Sequence, residues 1–315
     1  MKRLLAGPVC LALLLSLAGT AAAQVPKQAA ARIKEIGPVL NPKMIGEMFE
    51  LYAPLMPKAP AGIAVKEDLA YGPDERQKLD VFAPEKKPAR LLPTVIFVHG
   101  GGYVAGGKSR PGIPFYQNVG YFFARNRAVE VNMTYRLAPK HPWPAGGEDV
   151  AAAVRWVRKN IAEYGGDPER IVLFGQSAGA THVAHYVFDE SLQPKGGADG
   201  VKGAIIQSGI FDPAAAPPGP NVEAYFGKER ASWGAKSLFH KLGGRKIPVF
   251  IITAEFDPPP FKEESAKLRD ELCKLRGCPR HTELAGHNHL SEILHLNTAD
   301  DSMGSDILGF VRFPR

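Results

Sequence analysis

Short apolar runs constrain the fold of this chain more than any other sequence feature. The centre of the chain holds six of them, bounded by glycine and separated by helical patterns, at 94–98, 128–134, 171–174, 203–207, 249–253 and 282–284. Strands that alternate with helices form parallel sheets whose two faces are both covered, so each strand is apolar throughout. The pattern therefore predicts an α/β protein with a mostly parallel central sheet.

The segments around these runs carry helical or alternating patterns. Apolar residues recur at helical spacing over 147–164, and 177–189 and 261–275 are predicted as further helices. Two earlier candidate strands lie at 64–71 and 78–82, and the second alternates apolar and polar residues. We expect these two strands to form an antiparallel edge of the sheet.

The first residues have the pattern of a secretory signal peptide. Lys2 and Arg3 precede an apolar run at 4–18, and the small residues 21–23 follow. The run is short for a bilayer span and contains Gly-Pro, which disfavours the alternative of an uncleaved membrane anchor. We predict cleavage after Ala23 and a periplasmic or secreted protein without stable membrane insertion.

The charge balance gives no sign of a nucleic-acid partner. The formal net charge is +7, and subtracting the two charges of the leader leaves +5. Basic residues are scattered among acidic ones, and none of the basic stretches is interleaved with aromatic residues. We therefore expect the charge to serve solubility.

Two cysteines, Cys273 and Cys278, remain once the leader is removed. In an oxidising compartment they can form a disulfide, which across so short a loop stabilises the fold by about 2 kcal/mol. Two free thiols are the alternative. Two cysteines without matched histidines do not complete a zinc shell, so we predict neither a metal nor another cofactor.

The strongest chemical signal is Gly-Gln-Ser-Ala-Gly at 175–179, between an apolar run and a helical pattern. At a sharp strand-to-helix turn, the flanking glycines leave room for a strained backbone that presents the serine hydroxyl. Ser177 is therefore the candidate nucleophile.

A second signal, His-Gly-Gly-Gly-Tyr at 99–103, follows the apolar run that ends at 98. Ester hydrolysis passes through an oxyanion that needs preorganised N–H donors. We predict the amides of Gly101, Gly102 and Ala178 as these donors, and His99 as a brace for the loop.

A serine nucleophile needs a base, and the base needs an acid that orients it. The expected order along the chain is serine, acid, histidine. Asp257 follows the run 249–253 and is the predicted acid, with Glu255 in reserve. Of two nearby histidines we prefer His289, which begins a helical pattern, and His287 stays the alternative base.

The segments 99–103 and 175–179 resemble those of the hormone-sensitive-lipase-like carboxylesterases and the related acetyl-, feruloyl- and arylformamide-hydrolysing enzymes. The resemblance extends to Tyr-Arg-Leu-Ala-Pro at 135–139, His-Pro-Trp-Pro-Ala at 141–145 and Glu-Asp at 148–149. It implies an α/β-hydrolase fold with helices on both faces of a mostly parallel sheet and a small helical cap. It also implies short or aromatic acyl esters as small-molecule substrates.

Three positions depart from the pattern of that family. Gln176 stands where many relatives have an acidic residue before the nucleophile. Asp257 is followed by three prolines, and His-Leu-Ser at 289–291 resembles the end pattern of the acetyl-esterase and formamidase relatives.

Together these observations predict an exported serine carboxylesterase that works through an acyl-enzyme. An arylformamidase or amidase, and a hydrolase-like binding protein without catalysis, are the alternatives. We predict a signal peptide at 1–23, an N-terminal helical cap segment at 24–62 and a catalytic domain at 63–315, with a further cap insertion at about 212–242. Oligomeric state is not predicted.

Overall fold

One sheet forms the centre of the molecule. The computed structural model describes residues 26–195, 198–216 and 218–315, so the predicted signal peptide lies outside the described residues. Within them, the sheet contains eight strands. These are β1 (Ile63–Ala70), β2 (Lys78–Pro84), β3 (Leu92–Val98), β4 (Val129–Met133), β5 (Gly166–Gln176), β6 (Val201–Gln207), β7 (Val249–Phe256) and β8 (Arg280–Asn288).

The strand order is β1-β2-β4-β3-β5-β6-β7-β8. From β4 to β8 all neighbours are parallel, whereas β1 pairs with β2, and β2 with β4, in antiparallel register. Every residue of β3 and β4 is buried, as expected for strands covered on both faces. The parallel centre and the antiparallel edge both agree with the sequence prediction.

Helices cover both faces of the sheet. They are α1 (Lys27–Ile36), α2 (Pro42–Tyr52), α3 (Gln117–Arg125), α4 (Ala145–Asn160), α5 (Ala178–Phe188), α6 (Pro220–Phe226), α7 (Pro259–Arg276), α8 (Ser291–Leu294) and α9 (Gly304–Arg312). Residues of α4, α5 and α7 share one hydrophobic core, and residues of α1, α2, α3 and α9 share the other. The predicted fold class, an α/β-hydrolase sheet with helices on both faces, is confirmed.

Two segments outside the sheet approach the end where the parallel strands terminate. In the N-terminal segment, Met44, Met48 and Tyr52 of α2 are buried in the core of one sheet face. Between β6 and β7, the predicted insertion contains α6 and several short 3-10 turns, with Phe226 and Trp233 buried. Among the described helices, none combines the length and the hydropathy that a membrane span requires.

A disulfide lies at the C-terminal end of α7. It joins Cys273 in the last turn of the helix to Cys278, which follows the helix. The helix that was predicted at 261–275 is therefore closed at its C-terminal end by a covalent link.

Candidate active site

Ser177 lies at a sharp turn between β5 and α5. Its φ of 56° falls in the left-handed region, which costs energy for a residue with a side chain. The turn brings Gly179 against the neighbouring strand, where an added Cβ would lie 2.0 Å from the carbonyl oxygen of Val98. Only glycine fits at 179, so this residue permits the turn that exposes the hydroxyl.

A line of hydrogen bonds leads from this hydroxyl to a buried carboxylate. Ser177 Oγ is 2.9 Å from His289 Nε2, and His289 Nδ1 is 2.7 Å from Asp257 Oδ1. Asp257 follows β7, and His289 follows β8. Three side chains that follow parallel strands of one sheet, β5, β7 and β8, thus form the constellation of nucleophile, base and orienting acid.

The alternative residues considered from the sequence lie elsewhere. His287 is fully buried, and its ring nitrogens face Ser291 Oγ at 3.2 Å and Asp300 Oδ2 at 3.3 Å. Glu255 is exposed and accepts the N–H of Gly286 at 2.7 Å. His289 and Asp257 are the histidine and acid that the fold brings to Ser177.

The glycine loop lies directly beside the nucleophile. A Cβ built on Gly100 would be 3.1 Å from the Cβ of Ser177, and Gly101 and Gly102 line the same cavity as Ser177. Gly101 has a φ of 132°, which an L side chain rarely adopts. The N–H of Gly100 donates to Tyr116 Oη, which leaves the following amides as the candidate oxyanion donors.

Ala178, the third predicted donor, is the first residue of α5. The first N–H groups of a helix have no intrahelical acceptor, and the helix dipole adds positive potential at this end. Its amide is thus available at the residue next to the nucleophile.

Buried polar residues support the loop from behind. His99 Nδ1 lies 2.6 Å from the carbonyl oxygen of Gly100, and its ring stacks on Tyr135. Burial lowers the pKa of His99 to about 3, so the ring is neutral and braces the loop. Tyr135 Oη donates to the carbonyl of His99 at 3.1 Å, which links the loop to the Tyr-Arg-Leu-Ala-Pro segment.

A second buried network, which the sequence analysis did not identify, surrounds the triad. Gln176 Nε2 donates to the carbonyl of His289 at 2.9 Å and to Glu292 Oε1 at 3.0 Å. Ser208, at the end of β6, lies between Asp257 and Glu292. The one indication of this network in the sequence is a glutamate, Glu292, one helical turn after His289.

The arrangement of Asp257, His289 and Glu292 places three potential metal-ligating atoms within 4.8 Å of one another. Hydrogen bonds to Ser177, Ser208 and one another already occupy these atoms. The geometry thus fits proton transfer better than cation binding.

Ser177 opens into a cavity of about 520 Å³. The N-terminal segment contributes Ile45 and Phe49 to its wall, the glycine loop contributes one side, and Asn221 of α6 lies near Gly102. The lining is mostly apolar and consists of Leu40, Asn41, Pro42, Ile45, Phe49, Gly100, Gly101, Gly102, Ala105, Gly106, Arg110, Phe115, Tyr116, Gln176, Ser177, Asn221, His289 and Leu290. Such a cavity suits a small, largely apolar ligand.

Comparisons with known proteins agree with this site. Residues 77–227, which include the glycine loop and Ser177, match the model of the carboxylesterase family. Esterase LipQ of Mycobacterium tuberculosis is 36% identical over 162 residues, which cover 47% of this chain and 36% of the relative. Carboxylesterase NlhH of the same organism is 47% identical over 89 residues, covering 28% of this chain and 26% of the relative.

The chain therefore matches about a third or less of the length of these curated relatives. In the solved structures, Esterase B of Lactobacillus rhamnosis superposes with a TM-score of 0.69 at 17% identity, covering 90% of this chain and 96% of that one. That likeness establishes the fold. The family match spans just under half of the chain, so the comparisons show that this segment is similar to carboxylesterases and that the chain has an α/β-hydrolase fold.

Proposed function

We propose that the protein hydrolyses carboxylic esters through an acyl-enzyme on Ser177. The observation that carries the proposal is the continuous line of hydrogen bonds from Ser177 through His289 to Asp257. His289 Nε2 accepts the hydroxyl proton while Oγ attacks the ester carbonyl carbon, and the loop amides stabilise the oxyanion. The imidazolium then gives this proton to the leaving alcohol, and water releases the acid by the same route.

The proposed substrates are esters with a short or aromatic acyl group. The cavity of about 520 Å³ and its wall of Ile45, Phe49 and Phe115 support this choice, because small apolar groups can be buried there. An acyl group held against this wall would leave its carbonyl between Ser177 and the glycine loop.

Ser177→Ala tests the proposal. We expect turnover of p-nitrophenyl acetate to fall by about a millionfold with an unchanged circular dichroism spectrum, because the attacking oxygen is lost. Ser305→Ala, which removes an exposed hydroxyl in α9, is the matched control and should keep full activity. Full turnover in Ser177→Ala would contradict the proposal, and an aryl ester compared with its matched amide separates esterase from amidase activity.

We further propose that the protein is exported. The charged start, apolar run and small residues before position 24 support this, as does a cysteine pair suited to an oxidising compartment. Amino-terminal sequencing of the protein from the periplasmic fraction of a bacterial host should begin at Gln24. Recovery only as a cytoplasmic chain that keeps its leader would contradict export.

A further inference from the structure

Glu292 is a buried carboxyl group that the reaction described above does not use. Its side chain is 0% exposed, and its Oε1 lies 4.0 Å from Nδ1 of His289. Oε1 accepts a hydrogen bond from Gln176 Nε2 at 3.0 Å, and Oε2 lies 2.8 Å from Ser208 Oγ. Each oxygen of this acid therefore contacts a different part of the active-site scaffold.

Ser208 joins Glu292 to the acid of the triad. Its Oγ lies 2.6 Å from Asp257 Oδ2 as well as 2.8 Å from Glu292 Oε2. A serine hydroxyl has one proton and can donate to only one of these two oxygens. The other contact is a hydrogen bond only when that carboxyl group carries a proton itself. Proton counting thus requires one protonated acid in the pair.

The surroundings of the two acids decide which one holds the proton. Asp257 accepts from the N–H of Ala254 at 2.8 Å and from His289 Nδ1 at 2.7 Å, so donors already stabilise its anion. Burial, with the charge of Asp257 adding to it, raises the pKa of Glu292 well above its ordinary range. The protonated Glu292 therefore donates a hydrogen bond to Ser208 Oγ, and Ser208 donates its own proton to Asp257.

We propose that Glu292 is a positioning residue: as a neutral acid it fixes, through Ser208, the Asp257 carboxylate that orients His289. The inference rests on the proposed esterase function. Gln176 completes the arrangement, because its amide group donates both to Glu292 and to the carbonyl of His289. The residue before the nucleophile is in this way tied to the loop that carries the base.

Three variants test the positioning role with an acetate ester. Glu292→Ala and Ser208→Ala should each lower kcat at least tenfold with KM within about twofold, because the substrate cavity is untouched while Asp257 loses its support. Glu292→Gln can still donate to Ser208 and should restore most of kcat relative to Glu292→Ala. Ser265→Ala is the matched control, since Ser265 Oγ is buried in α7 without a hydrogen-bond partner among the described residues.

The pH profile separates a neutral from an ionised Glu292. If Glu292 is neutral, the acidic midpoint of the kcat/KM profile stays at the same pH in Glu292→Gln as in the wild type. An ionised group at 4.0 Å would favour the imidazolium, so its removal would shift that midpoint to lower pH by about one unit. Such a shift would overturn the protonated state, and full kcat in both Ser208→Ala and Glu292→Ala would overturn the positioning role.

Infrared spectroscopy of the intact protein provides a readout that does not depend on turnover. A carboxylic-acid C=O band should persist at pH 8 and lose intensity in Glu292→Gln. If Ser177→Ala kept its activity, the esterase proposal would fail while this band still reported the protonation of Glu292. An unchanged spectrum in Glu292→Gln would instead overturn the inference about Glu292 alone.

Discussion

At the scale of single residues, His287 and His289 have different roles because their side chains have different neighbours. The two side chains are two residues apart and both are buried. His289 contacts Ser177 and Asp257, whereas His287 contacts Ser291 and Asp300. The first can therefore move a proton at the substrate, and the second stabilises the loop behind it.

Substituting each histidine by alanine should separate these roles. We expect His289→Ala to lose activity by several orders of magnitude at nearly unchanged thermal midpoint, because the base is gone. His287→Ala should lower the free energy of unfolding by about 1–3 kcal/mol, because Oδ2 of the buried Asp300 loses its contact with the ring, and should retain turnover per folded molecule. Thermal denaturation and initial rates measure both, and the reverse assignment of effects would contradict the geometry.

Residues in motifs were predictable, and residues outside them were not. Ser177 and the glycine loop stand in recognisable segments, so the sequence alone could place them at strand ends. Ser208 belongs to no motif and comes to Asp257 only because β6 and β7 are neighbours in the sheet. Its role depends on a contact across 49 positions of the chain, which no local pattern encodes.

At the scale of the elements, strands were more predictable than helices. The buried strands appear in the sequence as apolar runs, whereas α3, which is buried on seven of its nine residues, was not predicted. The helical pattern predicted after His289 forms the short helix α8, and reciprocal hydrogen bonds between Asn288 and Ser291 cap its start.

Strand β4 contains an acid in an unfavourable position. Glu130 is fully buried between Phe82 of β2 and Val95 of β3, and both its oxygens lack a hydrogen-bond partner among the described residues. Burial, with the charge of Asp80 adding to it, raises the pKa of Glu130 well above its ordinary range. The folded protein therefore keeps this proton at pH values where the unfolded chain releases it.

Glu130→Gln should gain stability relative to the wild type as the pH rises. Above about pH 4.3 the unfolded chain ionises Glu130 and the folded one does not, so folding takes up a proton and wild-type stability falls by up to about 1.4 kcal/mol per pH unit. Urea denaturation at pH 5, 6.5 and 8 measures the difference between the two proteins. Glu163→Gln, at an exposed site, is the control, and a difference that stays constant with pH would contradict the assignment.

At the scale of the whole molecule, the cavity is built by parts of the chain that share no motif. Phe49 comes from α2, its ring lies 5.1 Å from that of Phe115, and the guanidinium of Arg110 lies 4.3 Å from its centroid. Nothing in the sequence around 49 indicates that this residue lines the same cavity as the glycine loop. The triad could be predicted because its residues follow strands, whereas this wall required the complete fold.

Phe49→Ala should widen the acyl preference. Removing the ring opens space for about two further methylene groups, whose burial is worth about 1.5 kcal/mol, so the kcat/KM ratio of hexanoate to acetate ester should rise about tenfold. Phe313→Ala removes a phenylalanine that is 68% exposed and should leave the ratio unchanged. An unchanged ratio in Phe49→Ala would exclude this ring from the acyl site.

The order in which the triad residues occur along the chain makes turnover a late reporter of folding. The hydroxyl at 177 is carried by β5, but its base is attached to β8, the last strand of the sheet. A refolding chain can therefore acquire most of its secondary structure before it hydrolyses a chromogenic ester. The absorbance of released p-nitrophenol therefore reports the moment at which β8 has brought His289 to Ser177.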